Sequence, residues 1–210
     1  MKTTKILLIR HGKTKGNSER RYVGRTDEAL CEKGRMELYR LREALQMQGL
    51  TEPTGIYTSP MIRCTESAQV LFPGHRLIAV ADLRERDFGA VDYKHYEDLN
   101  GNPVYQAFID SGGRTDLPDA ESLLPFKKRC VGAFFSCVRG MQIQTGTPWY
   151  AFVVHGGTIM AILEEYALPR RNYFDWQIPN AYGLTAELQV DETNGAIQLV
   201  NIEKADWNRE

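Results

Sequence analysis

Three short apolar runs constrain this chain most: Lys5 to Ile9 (KILLI), Gly55 to Thr58 (GIYT) and Trp149 to Val154 (WYAFVV). Each is rich in β-branched or aromatic residues and breaks off abruptly into small or polar ones, the pattern of a parallel strand buried on both faces. A helical stretch follows each run. Cys31 to Gln48 sets Leu38, Leu41 and Leu45 at helical spacing and stops at Gly49. Ser59-Pro60 offers a cap and a proline at the first helical position, predicting a helix to about Leu71. Gly157 to Ala167 reads as a third helix, ended by Pro169. Strand followed by helix, three times over, predicts an α/β fold: a three-layer α/β/α sandwich around a mostly parallel sheet.

Two segments break the rhythm. Phe88 to Ala120 is rich in turn residues yet carries Phe88, Tyr93, Tyr96, Tyr105 and Phe108, which suits a partly helical lid inserted at 88–120 better than a linker. Ala181 to Val190 and Ala196 to Ile202, joined through Asn194-Gly195, predict a C-terminal hairpin that adds antiparallel strand to the sheet. Phe126, Cys130, Phe134, Cys137 and Met141 make another helical stripe, read as core packing rather than a cofactor box. With 210 residues, 42% of them hydrophobic, the chain can bury roughly 70% of its unfolded surface, so a single domain over 1–210 is expected.

Charge excludes several classes. The 26 basic and 27 acidic residues are spread along the chain for a net charge of −1, so nothing asks for nucleic acid or an anionic membrane surface. The N-terminal apolar run is about a third of a membrane span and lacks a small-residue cleavage site, which reads as a first strand of a cytoplasmic protein. Cys31, Cys64, Cys130 and Cys137 have neither CxxC spacing nor the density of a secreted scaffold, so reduced thiols are expected, with no metal site.

The chemistry gathers at the ends of the three runs. In an open α/β sheet, ligands bind at the carboxyl ends of the parallel strands. Here those ends supply Arg10-His11-Gly12, then Thr58-Ser59-Pro60 leading to Arg63, then His155-Gly156-Gly157. Two arginines and two histidines crowded together without paired carboxylates repel one another unless an anion joins them. A phosphoryl group fits, because guanidinium forks bind its oxygens and the glycines, Gly156 among them, let backbone amides approach. Taken singly, each motif is common; together and in this order they are specific.

The stretches RHGKTKGN, SPMIRCTESA, LRERDFG and VVHGGT, with Arg25-Thr26-Asp27, Gly34-Arg35 and Pro179-Asn180, resemble the motifs of the histidine phosphatase superfamily, whose fold is phosphoglycerate mutase-like. The resemblance runs from about residue 5 to about residue 190. It implies that His11 attacks phosphorus to form a phosphohistidine, its other ring nitrogen held by backbone near Gly12. It implies that Arg10, Arg63 and His155 surround the phosphoryl oxygens. Glu85 would be the acid that protonates the leaving oxygen and then activates water, a task that needs a raised pKa, with Asp82 and Asp87 as alternatives. Thr14 and Asn17 are either phosphate contacts or loop and N-cap hydrogen bonds. Arg21 and Arg25 either meet a second anionic group or form a solvated basic loop.

The chain departs from the family pattern at three places. A Phe-Gly-x-Trp-Glu-Gly run reads Phe88-Gly89-Ala90-Val91-Asp92-Tyr93; a Pro-Gly-Gly-Glu-Ser stretch reads Pro118-Asp119-Ala120-Glu121-Ser122; and the usual acid after RHG is Lys13, expected to add positive charge near the pocket mouth. The resemblance implies a phosphomonoesterase using neither cofactor nor metal, acting on a small phosphorylated metabolite, and in look it is nearest the branch of α-ribazole phosphatases of cobalamin assembly. The rivals are a cofactor-dependent phosphoglycerate mutase and a non-catalytic phospho-ligand binder. A mutase typically uses an extra basic segment, and here the region offers Arg114 and Lys127-Lys128-Arg129, read as a solvated face. The oligomeric state, a homodimer included, is left open by the sequence.

Overall fold

A computed structural model describes residues 1–143 and 148–205. Six strands form one sheet: β1 (Lys2–Arg10), β2 (Gly55–Thr58), β3 (Leu77–Ala79), β4 (Trp149–Val154), β5 (Tyr182–Val190) and β6 (Ile197–Lys204), in the order β3-β2-β4-β1-β5-β6. β1, β2, β3 and β4 run parallel to one another, while β5 pairs antiparallel with β1 and β6 with β5. The helices are α1 (Lys15–Ser18), α2 (Glu32–Met47), α3 (Ile62–Leu71), α4 (Pro103–Asp110), α5 (Leu123–Gly140) and α6 (Gly156–Tyr166).

The apolar runs alternate between two cores. On β1, Ile6 and Leu8 enter the cluster that also takes Phe134 and Cys137 of α5 and Ile159, Ile162 and Leu163 of α6. Leu7 and Ile9 enter the opposite cluster, with Leu38, Leu41 and Leu45 of α2 and Ala68 and Leu71 of α3. β4 divides in the same way, Phe152 and Val154 to one side and Ala151 and Val153 to the other. Side chains of a strand alternate faces, so an unbroken apolar run means that both faces are covered, and the sheet is the middle layer of three.

Three local expectations change. α3 begins at Ile62, not at Pro60: Ser59 Oγ is held by His155, and Asp27 Oδ1 accepts the Ile62 N–H at 2.8 Å in place of a cap from the preceding residues. β3, which carries a single half-buried leucine and two exposed residues, escaped the pattern altogether. α6 starts one residue early, with His155 as its N-cap.

The insertion at 88–120 holds two 3₁₀ turns and α4. Val91, Leu99, Tyr105, Phe108 and Leu117 form its own small core, against which Tyr22 and Phe88 pack. Arg86 ties it down, donating to Glu121 O at 2.7 Å, Gly113 O at 3.1 Å and Asp116 Oδ1 at 3.1 Å.

Candidate active site

The ends of β1 and β4 lie side by side, Arg10 in register with Val154, so His11 and His155 emerge together. Their rings stand edge to face with centroids 5.2 Å apart. Arg63 comes from the first turn of α3 and is fully buried (0% exposed), as is His155, while His11 is 3% exposed.

Each group is fixed by specific bonds. His11 Nδ1 lies 2.7 Å from Gly12 O; a carbonyl only accepts, so Nδ1 carries the proton and Nε2 the lone pair. The backbone around it is clamped: Gly12 N–H donates to Ser67 Oγ at 3.0 Å, and Asn180 Nδ2 and Ala181 N donate to His11 O at 3.2 and 3.0 Å. Arg63 donates through Nη1 to Thr26 O and through Nη2 to Gly24 O, at 2.8 and 2.9 Å. Arg10 Nη1 donates to Ile178 O at 2.8 Å, while its Nε is buried with no partner. Burial lowers the Arg10 pKa from its ordinary value, with Glu85 opposing and Arg63 adding to the shift.

Both histidines are held neutral. Burial first, then the Arg63 charge, lowers the His11 pKa well below the usual imidazole value, and His155 is lowered for the same two reasons. Neutral imidazole beside a fixed guanidinium is an arrangement that an anion stabilises.

Glu85 faces this group. Its Oε2 accepts the Gly157 N–H at 3.1 Å and its Oε1 accepts its own neighbour's, Arg86 N, at 2.9 Å. Only a glycine permits this approach, because a Cβ at 157 would stand 2.3 Å from Glu85 Oε1. Arg10, Glu85, Gly156 and Gly157 line one cavity of about 420 Å³, together with Asn17 and Arg21. The expected cluster of bare cations thus has a carboxylate partner. Asp82 is exposed, and Asp87 lines a different cavity and accepts the Gly89 N–H; neither lines the cavity of Arg10 and Glu85.

The other expected residues divide. Asn17 borders the cavity, its Oδ1 accepting from Thr14 N and Asn180 Nδ2, each at 3.3 Å. Thr14 is the fully buried N-cap of α1, accepting from Asn17 N, and does not line the cavity. Arg21 does line it but is bound to Glu19 Oε2 at 2.6 Å and to Tyr93 O at 3.0 Å. Arg25 lies outside this cavity: its side chain is 64% exposed, as the basic-loop alternative has it, and turned to Asp87 at 3.5 Å in a second cavity that Glu85 also lines. Lys13 adds no free charge at the mouth, because it pairs with Glu37 Oε1 at 2.6 Å. Of the solvated face expected at 127–129, Lys128 is exposed, but Lys127 pairs with Glu164 and Arg129 binds Glu121 and three carbonyls of the Glu85 loop.

Arg86, Asp92 and Arg129 were not anticipated as supports of the site. Asp92, at the acidic position of the departed Phe-Gly run, accepts from Gly24 N at 2.8 Å and Thr26 N at 3.0 Å, and so holds the carbonyls that hold Arg63. Among the described residues, no group of three or more His, Cys, Asp or Glu could hold a metal ion, and no helix is long and apolar enough to cross a membrane. All four cysteines are free thiols; burial pushes Cys130 up to about 12 and Cys137 up to about 11.

A family model described as the histidine phosphatase superfamily (branch 1) matches residues 6–203. A curated relative, "Probable phosphoglycerate mutase GpmB" of Cronobacter sakazakii, is 29% identical over 137 residues, 63% of this chain and 62% of the relative; the chain thus aligns with under two thirds of that protein's length. Among solved structures, the α-ribazole phosphatase of Shigella flexneri is similar with a TM-score of 0.77 at 17% identity, covering 99% of this chain and 100% of that one. The phosphoglycerate mutase of Thermus thermophilus is similar with a TM-score of 0.67 at 23% identity, covering 98% and 100%.

Proposed function

From the premise that the chain belongs to the histidine phosphatase superfamily (branch 1), we propose that it is a phosphomonoesterase working through a phosphohistidine on His11, with α-ribazole 5'-phosphate as the named candidate substrate. The observation that carries this reading is the 2.7 Å bond from His11 Nδ1 to Gly12 O, which presents Nε2 as an unprotonated nucleophile.

In the first step the Nε2 lone pair forms a bond to phosphorus, and the ester P–O bond breaks as the leaving oxygen takes a proton from Glu85. In the second, Glu85 carboxylate takes a proton from water, the water oxygen bonds to phosphorus, and the N–P bond breaks to release phosphate. Arg10 and Arg63 would lower the barrier by setting fixed positive charge against the transferring group, and His155 would join them by turning its Nε2 proton from Ser59 Oγ to a phosphoryl oxygen. No step passes through a metal. The expected small-molecule partner is the phosphorylated metabolite.

The similarity to proteins named as mutases keeps phosphoryl transfer to a different hydroxyl of the phosphoglycerate as the second reading. Phosphate release from a panel of metabolites, α-ribazole 5'-phosphate and phosphoglycerates included, with chelator present and His11→Ala as control, tests the first. Release lost in the variant, with an acid-labile phosphoenzyme trapped in the parent, is the expected result. Isomerised phosphoglycerate without net release would give the reaction to the mutase reading, and binding without either would leave a phospho-ligand binder.

A further inference from the structure

Away from Arg10 and Glu85, the 420 Å³ cavity changes character. Its outer walls are aromatic: Tyr22, Phe88 and Phe108 from the small core around the insertion, and Tyr173 and Phe174 from the turn after α6. The Phe108 and Phe174 rings converge on Gly113, where a Cβ would stand 3.1 Å from Phe174 Cζ and 3.6 Å from Phe108 Cζ. Phe174 and Ile109, both lining the cavity, are 44% and 46% exposed. Apolar side chains left in water around a concave site gain from a ligand that covers them.

The wall offers little to a second anion. Apart from Arg10, its charged donors are Arg21 and Arg86. Arg86 spends its guanidinium on two carbonyls and Asp116, and Arg21 is matched by Glu19. A carboxylate or second phosphoryl group on the leaving side would lose its water to aromatic rings and find no unmatched cation, a desolvation cost without return. Asn17 and Gln177 supply neutral polar contacts only.

We propose that this outer chamber selects phosphomonoesters whose leaving alcohol carries a flat, uncharged apolar ring, and rejects leaving groups bearing a carboxylate or a second phosphoryl group. The inference rests on the phosphomonoesterase reading above and narrows it to a substrate class. The chamber takes up the ring between the insertion and the turn after α6 while the phosphoryl group meets Arg10.

The test compares kcat/KM for benzyl phosphate, ethyl phosphate and 3-phosphoglycerate, all alkyl esters. Benzyl phosphate should exceed ethyl phosphate by at least about tenfold, with 3-phosphoglycerate slowest. Phe174→Ala and, independently, Ile109→Ser should shrink the benzyl-to-ethyl ratio, and Phe174→Arg should raise 3-phosphoglycerate relative to ethyl phosphate. A ratio indifferent to all three variants, or 3-phosphoglycerate matching benzyl phosphate, overturns the chamber while leaving the phosphatase intact. Failure of every ester to release phosphate or to label His11 would overturn the phosphomonoesterase reading and the chamber with it.

Discussion

Arg63 Nε donates to His155 Nδ1 across 3.3 Å, and because a guanidinium has only donors, that ring nitrogen is the unprotonated one. The imidazole proton therefore sits on Nε2, 2.8 Å from Ser59 Oγ. Nitrogen-labelled histidine NMR should report His155 as the Nε2–H tautomer. Ser59→Ala removes the oxygen acceptor from a fully buried donor and leaves it only the weak acceptor Cys64 Sγ at 3.5 Å, which costs about 1–3 kcal/mol. Denaturant titration measures that loss, and an unchanged midpoint would contradict the arrangement.

The depressed pKa of His11 predicts how activity and stability respond to acid. The acid limb of kcat/KM should lie well below the ordinary imidazole range, since the nucleophile stays unprotonated there. Arg10→Gln removes one of the charges that depress it and should move the limb upward. For stability, the unfolded histidines titrate near about 6.5 while the folded ones resist the proton, so the unfolded state binds more protons below that pH. Stability contributed by His11 and His155 is thus fully present above the unfolded value and is lost as pH falls toward the folded ones. Melting temperature should drop on acidification through that window, and His11→Asn should flatten the slope; a slope of the opposite sign sinks the assignment.

Gly157→Ala tests the contact that brings Glu85 into the site. A Cβ placed 2.3 Å from Glu85 Oε1 pushes the carboxylate off the Gly157 N–H. Proton donation matters most for poor leaving groups, so turnover of alkyl phosphates should fall by about a hundredfold, with p-nitrophenyl phosphate far less affected. Equal losses on both ester types would mean that Glu85 is not the donor being displaced.

How much of this was readable in advance depended on the kind of partner each residue has. Strands β1, β2 and β4 were legible because covering both faces leaves an unbroken apolar run, and the residues ending them carry Arg10, His11 and His155 by chain adjacency alone. The aromatic content of 88–120 likewise announced a partly helical insertion rather than a linker, and the segment does hold α4. Lys13 was misjudged because its partner, Glu37, lies 24 residues away, and charge counted along the chain cannot reveal a pairing across it; the same limit left two readings for Arg25, whose partner Asp87 lies 62 residues away. Arg86 and Arg129 were invisible for a different reason: they bind mostly main-chain carbonyls, which every residue has and no side-chain pattern marks.

Arg129 gives the sharpest case. Its Nη1 donates to Asp82 O and Arg84 O at 2.8 Å each, its Nη2 to Glu85 O at 3.0 Å, and its Nε and Nη2 grip both oxygens of Glu121 at 2.6 and 2.7 Å. One planar fork therefore sets the backbone that carries the candidate acid, a geometry that an ammonium cannot reproduce. Arg129→Lys keeps the charge and loses the fork. We expect kcat for alkyl phosphates to fall by about tenfold or more, with KM little changed and p-nitrophenyl phosphate spared, the signature of a displaced proton donor. Glu121→Gln should give part of the same effect, and the double variant less than the sum of the two, because both act on one pair. A purely structural role would instead lower the melting temperature and reduce every ester's turnover alike. A solvated arginine would change nothing, so leaving-group dependence read beside stability separates the three.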